Sequence, residues 1–132
     1  METLLKNATE ILLLLFLIIT FLQSGIDKVY DWQGNLGWLK GHFAETPLKG
    51  LVPLLLGIVM LVEIISGILC LIGIYQLLIL DDGTMAFYGA ILSCLALLML
   101  LFGQRMAKDY EGAKTIAVYF VPAIFLVFLL QV

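Results

Sequence analysis

Charge is scarce in this 132-residue chain: seven Lys and Arg stand against ten Asp and Glu, giving a net charge of −3 and a pI near 4.9. With no basic run to neutralise a row of phosphates, nucleic-acid binding is excluded as a working reading. Histidine occurs once, at His42, and cysteine twice, at Cys70 and Cys94. These residues form no CxxC pair and no zinc-type spacing, so disulfide scaffolds and metal sites fall away. Apolar residues fill the chain instead: 63% of it is hydrophobic and the mean hydropathy is +1.13. A water-soluble domain of this size cannot bury that much apolar surface. What is left is an integral membrane protein.

Crossing a bilayer takes a helix of about 20 mostly apolar residues, and four runs qualify. They cover about residues 4–27, with a solid core from Ile11 to Leu22, then 51–74, 85–103 and 115–130. The second run stays apolar to Leu80 and is interrupted by Glu63 and Gln76. The expected fold is therefore all-α: a polytopic membrane protein forming one four-transmembrane-helix bundle over 1–132. Asp81, Asp82, Gly83 and Thr84 predict a tight turn that makes a hairpin of the second and third helices. The long connection, 28–50, holds Trp32, Trp38 and Phe43 and suits the headgroup layer, where it is expected to include a short helix lying flat. Thr46 followed by Pro47 predicts an N-cap, with proline at the first position of the second spanning helix.

The apolar N-terminal run also has the look of a secretory signal. Its flank carries Glu2 and Glu10 against Lys6, and no small-x-small pattern follows it, so it is read as a helix of the mature protein. The sequon at Asn7, Ala8 and Thr9 is read as a coincidence. Counting Lys and Arg by side places Lys6 alone beside the Asp81 turn, with Lys28, Lys40, Lys49, Arg105, Lys108 and Lys114 opposite. That asymmetry predicts termini outside and the connections 28–50 and 104–114 in the cytoplasm.

Glu63 falls near the middle of the second helix, where an ionised carboxylate costs several kcal/mol unless paired, hydrated or protonated. Ser66, Gly67, Cys70 and Gly73 share its face at helical spacing. Thr20, Gln23, Ser24 and Asp27 repeat the pattern in the first helix, and Ala86, Gly89, Ala90, Ser93 and Ala96 in the third. Small residues let helices approach closely in lipid, so these stripes are expected to face protein. A polar seam then runs from Asp27 and Lys28 to Glu63. Whether Lys28 or Arg105 reaches Glu63 is a question of depth, with Gln23 or water as candidate bridges. Cys70 and Cys94, at similar depth across the hairpin, are read as packing residues before a redox pair.

Phe21, Leu22, Gln23, Ser24, Gly25, Ile26, Asp27 and Lys28 resemble the S-G-x-x-K helix end of the DoxX family of small four-helix bacterial membrane proteins. Glu63, Ser66, Gly67 and Leu69 resemble its E-x-x-x-G-x-L-L signature, and the link from Gly103 to Ala113 is similar to its third connection. The resemblance spans nearly the whole chain in order. It implies a location in the bacterial inner membrane and functional positions at Ser24, Lys28, Glu63, Arg105 and Asp109. It also implies kinship with membrane redox proteins that work through cysteine pairs, which this chain, having no CxxC, does not match.

The leading expectation is an accessory subunit of a redox complex that binds a quinone-like or other small amphiphile at the polar seam. Glu63 would accept or donate a proton, while Lys28 and Arg105 hold an anionic or carbonyl oxygen. Gln23, Ser24, Asp27, Ser66 and Asp109 complete the candidate ligand-binding set. The expected cofactor is a quinone, with none bound covalently and no metal, and the protein is not expected to be an enzyme on its own. Its expected partners are the lipid bilayer and other membrane subunits or further copies of itself, with no nucleic acid. The alternatives are a non-enzymatic scaffold for a larger membrane complex, and a carrier for a small solute or protons.

Overall fold

A computed structural model describes residues 2–131; Met1 and Val132, the two ends of the 1–132 reading, lie outside the described residues. The fold is all-α. A short helix α1 (Glu2–Lys6) breaks at Asn7. Then α2 (Ala8–Leu17), a π-turn (Ile18–Leu22) and α3 (Gln23–Tyr30) run on as one rod. After α4 (Trp32–His42) and a 3-10 turn (Lys49–Leu51) come α5 (Val52–Ile79), α6 (Thr84–Met106) and α7 (Tyr110–Gln131). Among the described residues four stretches are long and apolar enough to cross a membrane: Ala8–Tyr30, Lys49–Ile79, Thr84–Met106 and Tyr110–Gln131. The chain is a multi-pass membrane protein. At 1.5 Å per residue, the 28 residues of α5 span about 42 Å, more than the hydrocarbon layer, so its ends reach the polar zones.

The start of the second spanning helix corrects the sequence reading. Thr46 caps no helix: its hydroxyl donates to the Phe43 carbonyl at 2.9 Å and accepts from the Leu48 amide at 3.2 Å, which closes a local turn. Helix α5 begins at Val52, and Pro53, not Pro47, occupies its first turn. Both prolines satisfy the same rule, and the threonine hydroxyl was spent on neighbouring backbone, a competition that sequence spacing does not resolve. The helix also continues to Ile79, five residues beyond the expected 74, as the apolar run to Leu80 allows.

The four spans close into a ring. The first packs on α5, α5 on α6, α6 on α7, and α7 returns to α2. Two of the three expected stripes face inward: Ser66, Gly67, Cys70 and Gly73 are buried in α5, and Ala86, Gly89, Ala90, Ser93 and Ala96 in α6. In the first span Gln23 and Asp27 are exposed and Thr20 and Ser24 half-buried, because Leu17, Phe21 and Gly25 take the inward face instead. The contribution of the two inward stripes is proximity. A methyl group on Gly73 would sit 2.6 Å from Ala86 Cα, and one on Gly89 would sit 2.9 Å from Cys70 Sγ. Outside, Leu61, Ile65, Leu95, Val121 and Phe128 are exposed, which is the arrangement a bilayer solvent favours. Cys70 and Cys94 are both free and buried.

The π-turn sets the polar seam. Leu17, Phe21 and Gly25 are all buried, yet in an unbroken α-helix eight residues at 100° each would leave Gly25 about 80° away from Leu17. A π-turn closes i→i+5 and holds an extra residue, which rotates α3 back so that its face still meets α5.

Both links of the α5–α6–α7 run turn through a left-handed residue that is not glycine. Asp81 (φ 50°) and Lys108 (φ 59°) occupy these positions. The amide after each bonds back along the chain: Asp82 to the Gln76 carbonyl at 3.1 Å, and Asp109 to the Gln104 carbonyl at 2.9 Å. Asp81 also anchors the N-terminus, accepting from Lys6 Nζ at 2.9 Å and from Asn7 Nδ2 at 3.1 Å. The Lys6 and Asn7 hydrogen bonds, followed by the Lys6 charge, hold its carboxyl below the ordinary value. The Asn7 amide of the sequon is thereby committed to the fold.

Candidate functional site

Glu63 is 2% exposed in the middle of α5, and Lys28, from the last turn of α3, places Nζ 2.8 Å from its Oε1. This settles the question of depth in favour of lysine. Two glycines make the approach possible. A methyl on Gly25 would meet Ile64 Cγ1 at 2.6 Å, and one on Gly67 would meet Leu22 Cβ at 2.9 Å, so the first span and α5 touch by their backbones on either side of the pair. The spacing in S-G-x-x-K and in E-x-x-x-G thus acquires a physical reason: serine and lysine share a face, and each glycine removes the side chain that would push the two helices apart.

The pair is not fully satisfied. Lys28 Nζ donates to Ser24 Oγ at 2.7 Å, one turn back on its own helix. Its approach to Glu63 is close, yet Glu63 Oε1 has no aligned hydrogen-bond donor. The carboxylate therefore has a counter-charge without the hydrogen bonds that normally offset the desolvation of a buried ion.

Two cavities flank the pair. The larger, about 770 Å³, lies between α4, α5 and α6: leucine, isoleucine and valine side chains wall most of it, and Lys28, Asn35, His42 and Gln104 supply its polar groups. The smaller, about 480 Å³, is bordered by Thr20, Gln23, Ser24 and Glu63, with Tyr119 of α7 across from them. Lys28 belongs to the first and Glu63 to the second, so the contact between them lies at the partition.

The remaining candidates disperse. Asp27 is exposed and accepts from Asn35 Nδ2 at 3.4 Å. Ser66 is buried beside Glu63 with no hydrogen-bond partner. Arg105 is exposed, its guanidinium 5.1 Å from the Tyr110 ring centre in a cation–π contact, and it takes no part in the seam. Asp109 caps α7 by accepting from the Gly112 amide at 2.9 Å. Its other oxygen lies 3.7 Å from His42 Nε2.

His42 is the residue that sequence reasoning passed over once metal ligation was dismissed. Its Nε2 meets Gln104 Oε1 at 2.8 Å, and its ring stacks on Trp38 with centres 4.6 Å apart. This ties α4 to the last turns of α6 over the larger cavity. The available signal was the spacing of Trp38 and His42, one turn apart on a segment already expected to be helical. Among the described residues no group of His, Cys, Asp or Glu is arranged to hold a metal ion.

Fold and site together define a small multi-pass membrane protein of four candidate spans, with an ion pair buried between its first two. No protein-family model, curated protein or solved structure matches the chain.

Proposed function

We propose that the protein binds a quinone-like amphiphile in the larger cavity and serves as a membrane subunit of a redox complex. One observation carries this reading: an apolar cavity of about 770 Å³ whose polar groups include an ammonium paired with a buried carboxylate. The volume falls in the range of small-molecule sites, and mostly apolar walls with a few convergent polar groups are the usual form of such sites. A flat head with hydrogen-bond-accepting oxygens suits Lys28 and the neighbouring amides of Asn35 and Gln104, and a hydrocarbon tail suits the leucine-rich surfaces of α5 and α6. The stacked Trp38 and His42 rings add an aromatic border. Arg105 has no role in this version of the site, because it faces away.

The DoxX resemblance supports the same assignment, since its quoted residues Ser24, Lys28 and Glu63 form the partition beside the cavity. The orientation proposed is the one the basic residues favour. Lys28 belongs to the buried pair and leaves that tally, after which Lys40, Lys49, Arg105, Lys108 and Lys114 oppose Lys6 alone. The connections 28–50 and 104–114 then face the cytoplasm, and the larger cavity opens toward that side.

The test is extraction. Protein purified from its native membrane in a gentle detergent is extracted with solvent, and absorbance is recorded before and after borohydride. A quinone difference spectrum in near-stoichiometric amount is expected, as is its loss in a Leu92→Trp variant that fills the cavity. A spectrum no larger than that of an unrelated membrane protein prepared alongside would defeat the reading.

A further inference from the structure

We propose that Lys28 and Glu63 couple ligand binding to proton uptake: Lys28 turns its ammonium from Glu63 to an oxygen of the amphiphile in the larger cavity, and Glu63 takes a proton from the smaller one. The coupling rests on the proposed quinone site for the identity of the ligand and adds a linkage that binding alone does not contain.

Three observations point to it. First, Lys28 borders one cavity and Glu63 the other, so a single side chain reports occupancy of the first to the second. Second, the contact is close but not aligned as a hydrogen bond. The ammonium is aligned on Ser24 at 2.7 Å while Glu63 Oε1 lacks an aligned donor, and the four-carbon stem of a lysine lets the head swing without backbone movement. Third, Glu63 has no other cation to turn to. The groups around it are Ser24, Thr20 and Gln23 of the first span, Leu97 and Leu100 of α6, and Tyr119 of α7, so among the described residues bordering its cavity no second positive charge faces it. A carboxylate left alone at this depth neutralises itself by protonation sooner than it stays charged. The polar side chains of Thr20, Gln23, Ser24 and Tyr119 on its border and a volume of about 480 Å³ give water room and partners to deliver the proton. The balance is simple: one proton leaves the medium and forms the Glu63 O–H bond, no electron moves, and the complex gains one positive charge.

The experiment uses the full chain in lipid nanodiscs and decylbenzoquinone as the probe. Binding is titrated by calorimetry in phosphate and in Tris at the same pH, so that the difference in heat reports protons exchanged with the buffer, and infrared difference spectra follow the carboxyl carbonyl band. Uptake of about one proton per quinone, the amount a single carboxylate accounts for, is expected together with a new protonated-carboxyl band. In Glu63→Gln whatever binding heat remains should be equal in the two buffers, with the carboxyl band gone. Binding with equal heats in the two buffers and no carboxyl band would overturn the coupling while leaving the binding site in place, and this comparison needs only the wild-type protein. Uptake that persists in Glu63→Gln would overturn it equally. No binding heat in either buffer would overturn the binding reading, and the coupling with it.

Discussion

Replacing Lys28 with methionine tests the energetics of the pair on which the site depends. The substitution keeps most of the side chain's volume and removes its charge, leaving Glu63, whose side chain is 3% exposed, without a counter-ion. Breaking a buried pair on one side costs about 3–5 kcal/mol. The double variant Lys28→Met with Glu63→Gln should recover most of the loss, because no charge is then left buried without a partner. Unfolding by sodium dodecyl sulfate titrated into a mild detergent, followed through Trp32 and Trp38 fluorescence, measures the wild type and each variant. A single variant within about 1 kcal/mol of wild type, the worth of an exposed pair, or a double variant no better than the single, would refute the reasoning.

Gly73→Val should disrupt the bundle, because its first side-chain carbon meets Ala86 backbone at 2.6 Å; Gly57→Ala, with only Trp32 at 3.8 Å, should behave as wild type. Size-exclusion profiles in detergent distinguish the two. Asp81→Asn keeps a residue tolerant of the left-handed turn but loses the charge that Lys6 contacts, so faster hydrogen exchange is expected at residues 2–7 with α5 and α6 unchanged. The folded Asp81 carboxyl is depressed by the Lys6 and Asn7 hydrogen bonds. Its contribution is therefore present above the unfolded value and lost as pH falls through the folded one, and acidification should release the same segment. His42→Phe preserves stacking on Trp38 but removes the 2.8 Å contact to Gln104, and exchange should rise across Trp32–His42 while the four spans stay protected.

The bundle was legible from the chain because hydropathy and helical spacing report directly on burial in a bilayer. Ser66, Gly67, Cys70 and Gly73 recur on the Glu63 face, and that face is inside. The pairing of Lys28 with Glu63 was half legible. Sequence placed both on the seam but gave no depth, since depth depends on how closely the helices approach, which Gly25 and Gly67 decide only when set against Ile64 and Leu22. The π-turn at Ile18–Leu22 left no mark in composition, being a response to packing and not a propensity of its own. Asp109 joins the seam reading only through the resemblance, and Arg105 also through its charge, with no depth to place it. Lys108, taking the left-handed conformation, closes the end of α6, and the turn it makes leaves the arginine on the Tyr110 ring and the aspartate at the N-terminus of α7. His42 and Gln104 lie far apart in the chain and meet only through the tertiary fold, so no local pattern could join them.

The central claim, that the groove between α4, α5 and α6 holds an amphiphile head beside Lys28, is tested most directly by photoaffinity labelling. An azido-quinone photolysed with the protein in nanodiscs should modify peptides covering Trp38–Phe43 and Leu92–Gln104, in competition with unlabelled quinone. Label confined to the outer face of α7, at Val121 and Phe128, or insensitive to competitor, would contradict the account.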